Sequence, residues 1–162
     1  MTSPTTGVDL PTLGLGIPFE GWTVGRRFRT IGRTVTDADI TNFVGVTGMV
    51  EVLFTNLDYL EKESLIKGRL APGALVYAFA EGLLLQSAMQ HTGLAFLGME
   101  LKVLKPVFAG DTIHVECEVT AARPTSKPGR GIVTALNNVV NQKGEIVLAY
   151  TATRMIKSAD GH

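Results

Sequence analysis

The sequence predicts an α+β fold, in which an antiparallel sheet wraps around one long helix. Residues 70–99 contain a single charged side chain, Glu81, so this run is expected to be buried. Four segments of strand-like sequence come after the predicted helix without another helix between them, which is typical of an antiparallel sheet. The chain has 162 residues, the size of one domain.

Charge and cysteine content exclude several classes of protein. Fifteen Lys and Arg residues balance fifteen Asp and Glu residues, so a basic surface for nucleic acid is not expected. Cys117 is the single cysteine and has no internal disulfide partner, which indicates a reducing compartment such as the cytoplasm. Pro72, Gly73 and several polar residues interrupt the uncharged run, and for this reason we expect no membrane span there.

The chain divides into an N-terminal arm, one domain and a short tail. Residues 1–18 contain three prolines and lack the apolar core of a signal peptide, so we expect a flexible arm. The predicted domain covers residues 19–158, with no linker or internal repeat in its sequence, and residues 159–162 form the tail.

The first half of the domain predicts one strand and two short helices. Residues 24–35 place apolar side chains among Arg and Thr residues, as a first strand does. Thr36 is expected to cap the next helix, because Asp39 follows three residues later in an acidic variant of the capping box. A second, shorter helix is expected over residues 56–64.

The second half predicts the long helix and the rest of the sheet. Pro72 lies near the start of the helix, where its missing N–H removes no hydrogen bond, and the helix is expected to run to about Gln90. Residues 111–122 alternate between apolar and polar side chains, the period of a half-buried strand. The four strands expected in this half are residues 96–104, 111–122, 132–140 and 145–156.

Four segments resemble motifs of the MaoC-like (R)-specific enoyl-CoA hydratases: residues 34–48, 68–73, 104–111 and 141–144. The resemblance covers residues 20–157 and is strongest in the strand–turn–strand sequence that ends at Asp111. It implies the hot-dog fold and a homodimer or larger assembly with the active site at the seam between two sheets. It also implies activity on acyl-CoA or another acyl thioester, with no cofactor besides the coenzyme A that the substrate carries.

The chain departs from this family at the catalytic pair. The family uses an Asp and a His five residues later to hold a water molecule and move its protons. By the same resemblance, Met49 stands at the Asp position and Phe54 at the His position. Neither side chain exchanges a proton, so the sequence predicts a non-standard active site.

Two glutamates are the candidate catalytic residues. Glu81 is expected two turns past Gly73 on the central helix, where related hot-dog dehydratases and thioesterases carry a carboxylate. The alternative is a structural glutamate that is hydrogen-bonded at a dimer interface. Glu51 stands in the loop that resembles the family's active site and is a candidate base, alone or with Glu81 across one pocket. Its alternative is an exposed loop glutamate.

Further residues are candidates for substrate binding. The N–H of Gly73, at the start of the helix, is expected to donate to the thioester carbonyl, since the first N–H groups of a helix lack internal partners. The other interpretation of Gly73 is a steric need beside Pro72. Met49, Phe54 and Tyr77 are candidates for an acyl pocket, and packing in the core explains them equally well.

Three cations in the last long loop are candidates for the coenzyme A phosphates: Arg123, Lys127 and Arg130. A solvated hairpin is the alternative. No spacing of His, Cys or carboxylate residues indicates a metal site.

Three functions therefore remain open at the level of sequence. One is an enoyl-CoA hydratase or dehydratase with rearranged catalytic residues. A second is a non-catalytic acyl-CoA-binding subunit of a heterodimer in which a homologue supplies catalysis. The third is an acyl-CoA thioesterase that uses Glu81.

Overall fold

A computed structural model describes residues 10–161, so the first half of the predicted arm and the last residue of the tail lie outside the described residues. A 3₁₀ turn, Phe19–Gly21, precedes the regular elements. The helices are α1 (Asp37–Thr47), α2 (Val52–Thr55), α3 (Leu57–Lys62) and α4 (Gly73–Leu84). The strands are β1 (Arg27–Arg29), β2 (Arg33–Thr34), β3 (Gly93–Val103), β4 (Thr112–Pro124), β5 (Arg130–Asn141) and β6 (Ile146–Lys157).

The strands form one antiparallel sheet that encloses α4, which confirms the α+β prediction and the hot-dog architecture. The strand order is β1-β4-β5-β6-β3, and β2 also pairs with β4. The alternation predicted for β4 is confirmed, because Ile113, Val115, Cys117 and Val119 are all buried. They form part of the core against the buried residues of α4, which are Leu75, Val76, Ala80, Leu83 and Leu84.

The capping box predicted at the start of α1 is confirmed. The N–H of Asp39 donates to Thr36 Oγ1 over 3.1 Å, and the N–H of Thr36 donates to Asp39 Oδ2 over 2.8 Å. Gly48 ends the same helix with φ at 71°, a left-handed conformation that favours glycine. The short helix predicted from residue 56 is also present as α3, where Asn56 Oδ1 accepts from the N–H of Tyr59.

The prediction of a single strand over residues 24–35 is wrong. The structure has two short strands, β1 and β2, separated at Thr30–Gly32. The hydroxyl of buried Thr30 accepts from the N–H of Val115 over 3.0 Å, in place of a backbone carbonyl. A side chain that enters the ladder in this way interrupts the backbone pairing, and periodicity alone does not reveal it.

The central helix follows its predicted extent, with one change near its end. After α4 the chain continues in a wider π-helical turn over Leu85–Met89. The predicted arm meets this turn, since the N–H of Ile17 donates to the carbonyl of Ala88 over 2.8 Å. Gly16 makes the equivalent bond to Gln90. These bonds satisfy carbonyls that a helix end leaves free.

Strand β3 lies at the edge of the sheet and carries large exposed apolar side chains. These are Leu94, Phe96, Leu97, Met99 and Val103. Two β-bulges interrupt its pairing with β6, between Gly93 and Ala95 and between Phe96 and Gly98. Beside the sheet, Ala74, Ala78 and Leu85 of the central helix are exposed as well. No helix within residues 10–161 combines the length and the apolar character needed to cross a membrane.

Candidate functional site

The first turn of α4 borders an apolar cavity of about 440 Å³, here called the N-terminal cavity. Its walls include Gly73, Val76, Val103, Leu104, Val147 and Leu148. The helix begins at Gly73 without a side-chain cap. Among residues 10–161 no acceptor receives the N–H of Gly73 or of Ala74. The site therefore offers free backbone donors and the positive end of the helix dipole to a carbonyl oxygen.

Arg69 joins the approach to α4 with helices α1 and α2. Its side chain is largely buried, at 17% exposed, and pairs with Asp37 at the start of α1. It also donates to Thr41 Oγ1 over 3.2 Å and to the backbone carbonyl of Phe54 in α2. One guanidinium thus fixes three segments in the neighbourhood of Gly73, and its planar fork suits this better than a lysine would.

The loop that resembles the family's catalytic segment lies after α1. Met49 is 37% exposed, whereas Phe54 is half-buried and packs against the core. The carboxylate of Glu51 accepts from the N–H of Leu53 over 2.8 Å and caps α2. The exposed Glu51 therefore has a local structural role in this chain.

The third turn of α4 borders a second cavity of about 610 Å³, here called the C-terminal cavity. Its walls include Tyr77, Glu81, Leu85, Phe96, Arg154 and Met155. Tyr77 and Glu81, two of the predicted site residues, thus lie together in it.

Glu81 is held by two residues of β6. The hydroxyl of Tyr150 donates to Glu81 Oε1 over 2.6 Å, and Arg154 Nη2 donates to the same oxygen. The side chains of Glu81 and Arg154 are only 16% and 7% exposed. The Oε1 atom of Glu81 therefore has both an ion-pair partner and a hydrogen-bond donor within the fold.

The phenols and the thiol near this ion pair stay protonated at neutral pH. Burial raises the pKa of Tyr150 far above its ordinary value, and the charge of Glu81 raises it further. Burial, followed by the charge of Glu81, also raises the pKa of Tyr77. Burial raises the pKa of the Cys117 thiol to about 12. Tyr150 is therefore a neutral donor toward Glu81.

The structure does not bring the two candidate glutamates together. Glu81 faces the C-terminal cavity, and Glu51 is not one of the residues that line it. Among the three candidate phosphate ligands, Arg123 and Lys127 are exposed, while Arg130 Nη1 lies 3.8 Å from the sulfur of Met155. Within the described residues, no group of three His, Cys, Asp or Glu side chains is arranged to hold a metal ion.

Sequence reasoning missed Arg69, Tyr150 and Arg154. Arg154 alternates with apolar residues on a strand, and a charge at an inward position is the one signal that marks it. Its partner Glu81 is 73 residues away, so the pairing follows only from the fold. Arg69 lies in a motif that the sequence already singled out, but nothing in that motif indicates its three partners.

Comparisons with known proteins agree with this architecture. The family model of the MaoC like domain matches residues 20–141. A segment of 57 residues, 35% of this chain, is 39% identical to mesaconyl-CoA hydratase of Cereibacter sphaeroides and spans only 17% of that protein.

Two solved structures extend the likeness over most of the chain. The MaoC-like dehydratase of Rhodospirillum rubrum is 32% identical, with a TM-score of 0.77 over 88% of this chain and 98% of that one. An (R)-hydratase of Pseudomonas aeruginosa is 25% identical, with a TM-score of 0.76 over 88% of this chain and 87% of that one.

Proposed function

Because the chain belongs to the family of MaoC-like domains, we propose that it binds acyl-CoA as the non-catalytic subunit of a heteromeric enoyl-CoA hydratase. The observation that carries this proposal is that both candidate carboxylates are already engaged. Glu51 caps α2, and Glu81 receives hydrogen bonds from Tyr150 and Arg154. Because each carboxylate already accepts hydrogen bonds within its own fold, we assign proton transfer to a homologous partner subunit.

In this proposal the thioester lies at the first turn of α4. The carbonyl oxygen accepts from the free N–H of Gly73, and the acyl chain enters the apolar N-terminal cavity. Mesaconyl-CoA hydratase, by its name, supports a thioester substrate for this chain, and the name of the (R)-hydratase supports a hydratase assembly. Coenzyme A enters only as part of that substrate.

The candidate phosphate ligands constrain how coenzyme A is held. Val147 and Leu148 line the N-terminal cavity at the start of β6. In the β5–β6 ladder Arg130 lies opposite Lys157, which is at the other end of β6. Arg123, Lys127 and Arg130 therefore lie at the far end of the sheet from that cavity. We propose that they serve a coenzyme A bound by an adjacent subunit.

A second subunit is proposed to attach at β3. The exposed apolar side chains of this edge and the uncovered Ala74, Ala78 and Leu85 form one continuous region that a partner would bury. In the chain purified alone we expect a second copy to occupy this edge, and Leu97→Lys should then shift the protein toward monomer in analytical ultracentrifugation. Val46→Lys is the matched control, because Val46 is exposed on α1, away from the edge. Equal masses for the two variants would contradict this assembly.

The role of Gly73 is tested by a pair of substitutions. Gly73→Pro removes the N–H at a position where helices accept proline, and Pro72 already has the extended ψ of 138° that a following proline requires. Gly73→Ala keeps the N–H and adds only a Cβ, 3.2 Å from Val103 Cγ2. We expect decanoyl-CoA to bind about tenfold more weakly to the proline variant than to the alanine variant in calorimetry. Equal binding would show that this N–H is not a ligand.

Catalysis is tested on 2-decenoyl-CoA with the chain alone. The proposal expects saturable binding, with neither loss of the conjugated thioester absorbance nor release of thiol. Failure to bind any acyl-CoA would overturn it.

One observation favours a second candidate, a hydratase that uses Glu81. Glu81 Oε2 receives no hydrogen bond from the described residues, and the side chain borders a cavity. Hydration by the chain alone, abolished in Glu81→Gln, would establish this candidate in place of the first. Release of free thiol would instead establish a thioesterase.

A further inference from the structure

We propose that the N-terminal arm of one copy packs against the N-terminal cavity of a second copy and completes the wall of that cavity. The part of the arm that makes this contact is residues 10–15, here called the leucine segment. The inference rests on the proposed function in two respects, the attachment of a second copy at β3 and the binding of acyl-CoA at the N-terminal cavity.

The leucine segment carries apolar side chains that its own copy leaves uncovered. Leu10 and Leu13 are 79% and 88% exposed, and Leu15 is 52% exposed. Ile17 and Phe19, which follow in the arm, instead pack against the core of their own copy. Three uncovered leucines within six residues are typical of a segment that contacts another surface.

The arm crosses one end of the sheet in the direction of the β3 edge. The ring of Phe19 lies against Gly131 near the start of β5, and both Gly131 and the start of β3 pair with Ile156 of β6. Gly16 lies farther along this end, just before β3, where an added Cβ would come within 2.7 Å of the Thr92 hydroxyl oxygen. Since β3 is the last strand of the sheet, the same course takes the leucine segment past the edge.

The N-terminal cavity of the same copy is out of reach of this segment. Gly16 is anchored by a hydrogen bond to the carbonyl of Gln90, which is seventeen residues beyond Gly73. That separation is about 25 Å along the helix. The six residues from Leu10 to Gly16 span about 20 Å even when fully extended. The leucines therefore find their contact outside their own copy.

A second copy attached at β3 brings a suitable surface to the leucine segment. Two identical copies joined through one edge are related by a two-fold axis, so their β3 strands pair in the antiparallel direction. Pairing along the whole of Gly93–Val103 places Gly93 of one copy opposite Val103 of the other. The arm leaves its domain at the first of these positions, and the N-terminal cavity lies at the second.

The rim of that cavity is apolar and partly uncovered. Ile66, Val103 and Leu104 line it and are 39%, 58% and 54% exposed. Neighbouring strands are about 4.8 Å apart, whereas the three residues from Leu13 to Gly16 span about 10 Å. Leu13 of one copy therefore reaches the rim in the other, and its burial there removes apolar surface of both copies from water.

Cross-linking tests the contact between the copies. Tagged Leu13→Cys chains are co-expressed with untagged Ile66→Cys chains, and the purified protein is treated with a short bis-maleimide. We expect a tagged–untagged product here and none when Val24→Cys replaces Ile66→Cys. Val24 is 64% exposed but precedes β1, at the opposite edge of the sheet, and the natural Cys117 is buried. Absence of the mixed product, or equal yields with the two partners, would overturn the inference.

Calorimetry with decanoyl-CoA tests whether the arm is part of the site. Leu13→Ser should bind this ligand about tenfold more weakly than the wild type, because a leucine is lost from the cavity wall. Val24→Ser, the matched control, should bind like the wild type. In the Leu97→Lys background, which lacks the second copy, Leu13→Ser should cause no further loss, since both changes remove the same contact. Equal affinities of Leu13→Ser and wild type, or a further loss in that background, would overturn the inference.

The two experiments separate this inference from the proposed function. If the wild-type chain does not bind decanoyl-CoA, the proposed function fails and the arm completes no acyl-CoA site. The cross-link then still decides whether the leucine segment contacts a second copy. If decanoyl-CoA binds but the mixed product is absent, acyl-CoA binding stands and only the role of the arm is removed.

Discussion

The first and third turns of α4 differ in the polar groups that they present to the cavities beside them. The first turn offers bare backbone N–H groups at Gly73 and Ala74, and its surroundings are fixed from outside by Arg69. The third turn carries a full charge, Glu81, which is neutralised within the cluster by Arg154. Donors supplied by a helix end need no buried counter-charge, whereas a buried side-chain charge requires a partner of opposite sign.

This difference predicts that substitutions at the two turns lower the stability of the fold by different amounts. At the first turn, changes should loosen the geometry of the site while the fold remains. At the third turn, loss of one partner leaves an isolated charge in an apolar environment. Four measurements test this contrast, starting with the largest expected effect.

Removal of one member of the buried pair should destabilise the fold most. Arg154→Met leaves Glu81 charged and unpaired, and the free energy of unfolding should fall by about 3–5 kcal/mol in urea denaturation. Glu81→Leu/Arg154→Met should restore most of that loss, because no charge remains to be desolvated. If the single and double variants are equally stable, the pair is not a buried charge pair in solution.

Loss of Arg69 should lower the free energy of unfolding by a smaller amount, and the loss should be centred on the first turn of α4. Arg69→Met removes its contacts with Asp37, Thr41 and the Phe54 carbonyl, and stability should fall by about 2 kcal/mol. Amide hydrogen exchange over residues 48–56 should accelerate in the same variant.

The matched control for Arg69 is Lys62→Met. Lys62 pairs with Asp58 on the surface of α3, and both side chains are exposed. A surface pair of this kind contributes less than about 1 kcal/mol, so the control should be nearly as stable as the wild type. Equal losses in the two variants would contradict the role assigned to Arg69.

The capping box that begins α1 should contribute about 1 kcal/mol, measured as the loss in Thr36→Ala. Burial tends to raise the pKa of Asp39, but hydrogen bonds from Thr36 and the charge of Arg33 outweigh it and lower the pKa below 3.8. This contribution is therefore complete above about pH 4 and is lost as the pH falls through the folded-state pKa. The gap in Tm between wild type and Thr36→Ala should narrow in acid. A constant gap would exclude Asp39 as the titrating partner.

The smallest contribution to stability is expected from Cys117, a buried residue of β4 near Glu81 and Arg154. Its pKa of about 12 keeps the thiol protonated at pH 9, the ordinary pKa of a cysteine. A disulfide reagent at that pH should therefore label the native chain far more slowly than the urea-unfolded chain. Its contribution to stability is present below pH 9 and is lost as the pH rises through 12. Rapid labelling of the native thiol would show that the core opens readily.

The sequence predicts the elements of this fold where the signal is local. The alternation in β4 and the Thr36–Asp39 pair follow from spacings of two and three residues, and both are present. The interruption at Thr30 escapes prediction because its hydroxyl bonds to Val115, far away in the chain.

The candidate site is predictable in part for the same reason. Glu81 stands out as a lone charge in an apolar run, which marks the position but not the partners. Arg154 and Tyr150 join it across the sheet, and the contacts of Arg69 also link distant segments. Residue type and spacing locate such positions, and only the packed chain shows which charges neutralise one another.

The exposed edge of strand β3 has a consequence for the aggregation of this chain. The outer edge of this eleven-residue strand presents backbone groups that its own sheet does not pair, flanked by apolar side chains. An edge of this kind binds other strands without selectivity until its proper neighbour arrives. Its two bulges bend the strand, and Glu100 and Lys102 add charge, which limits unwanted pairing. We expect a copy whose β3 edge is uncovered to aggregate before a copy whose edge is covered by another subunit.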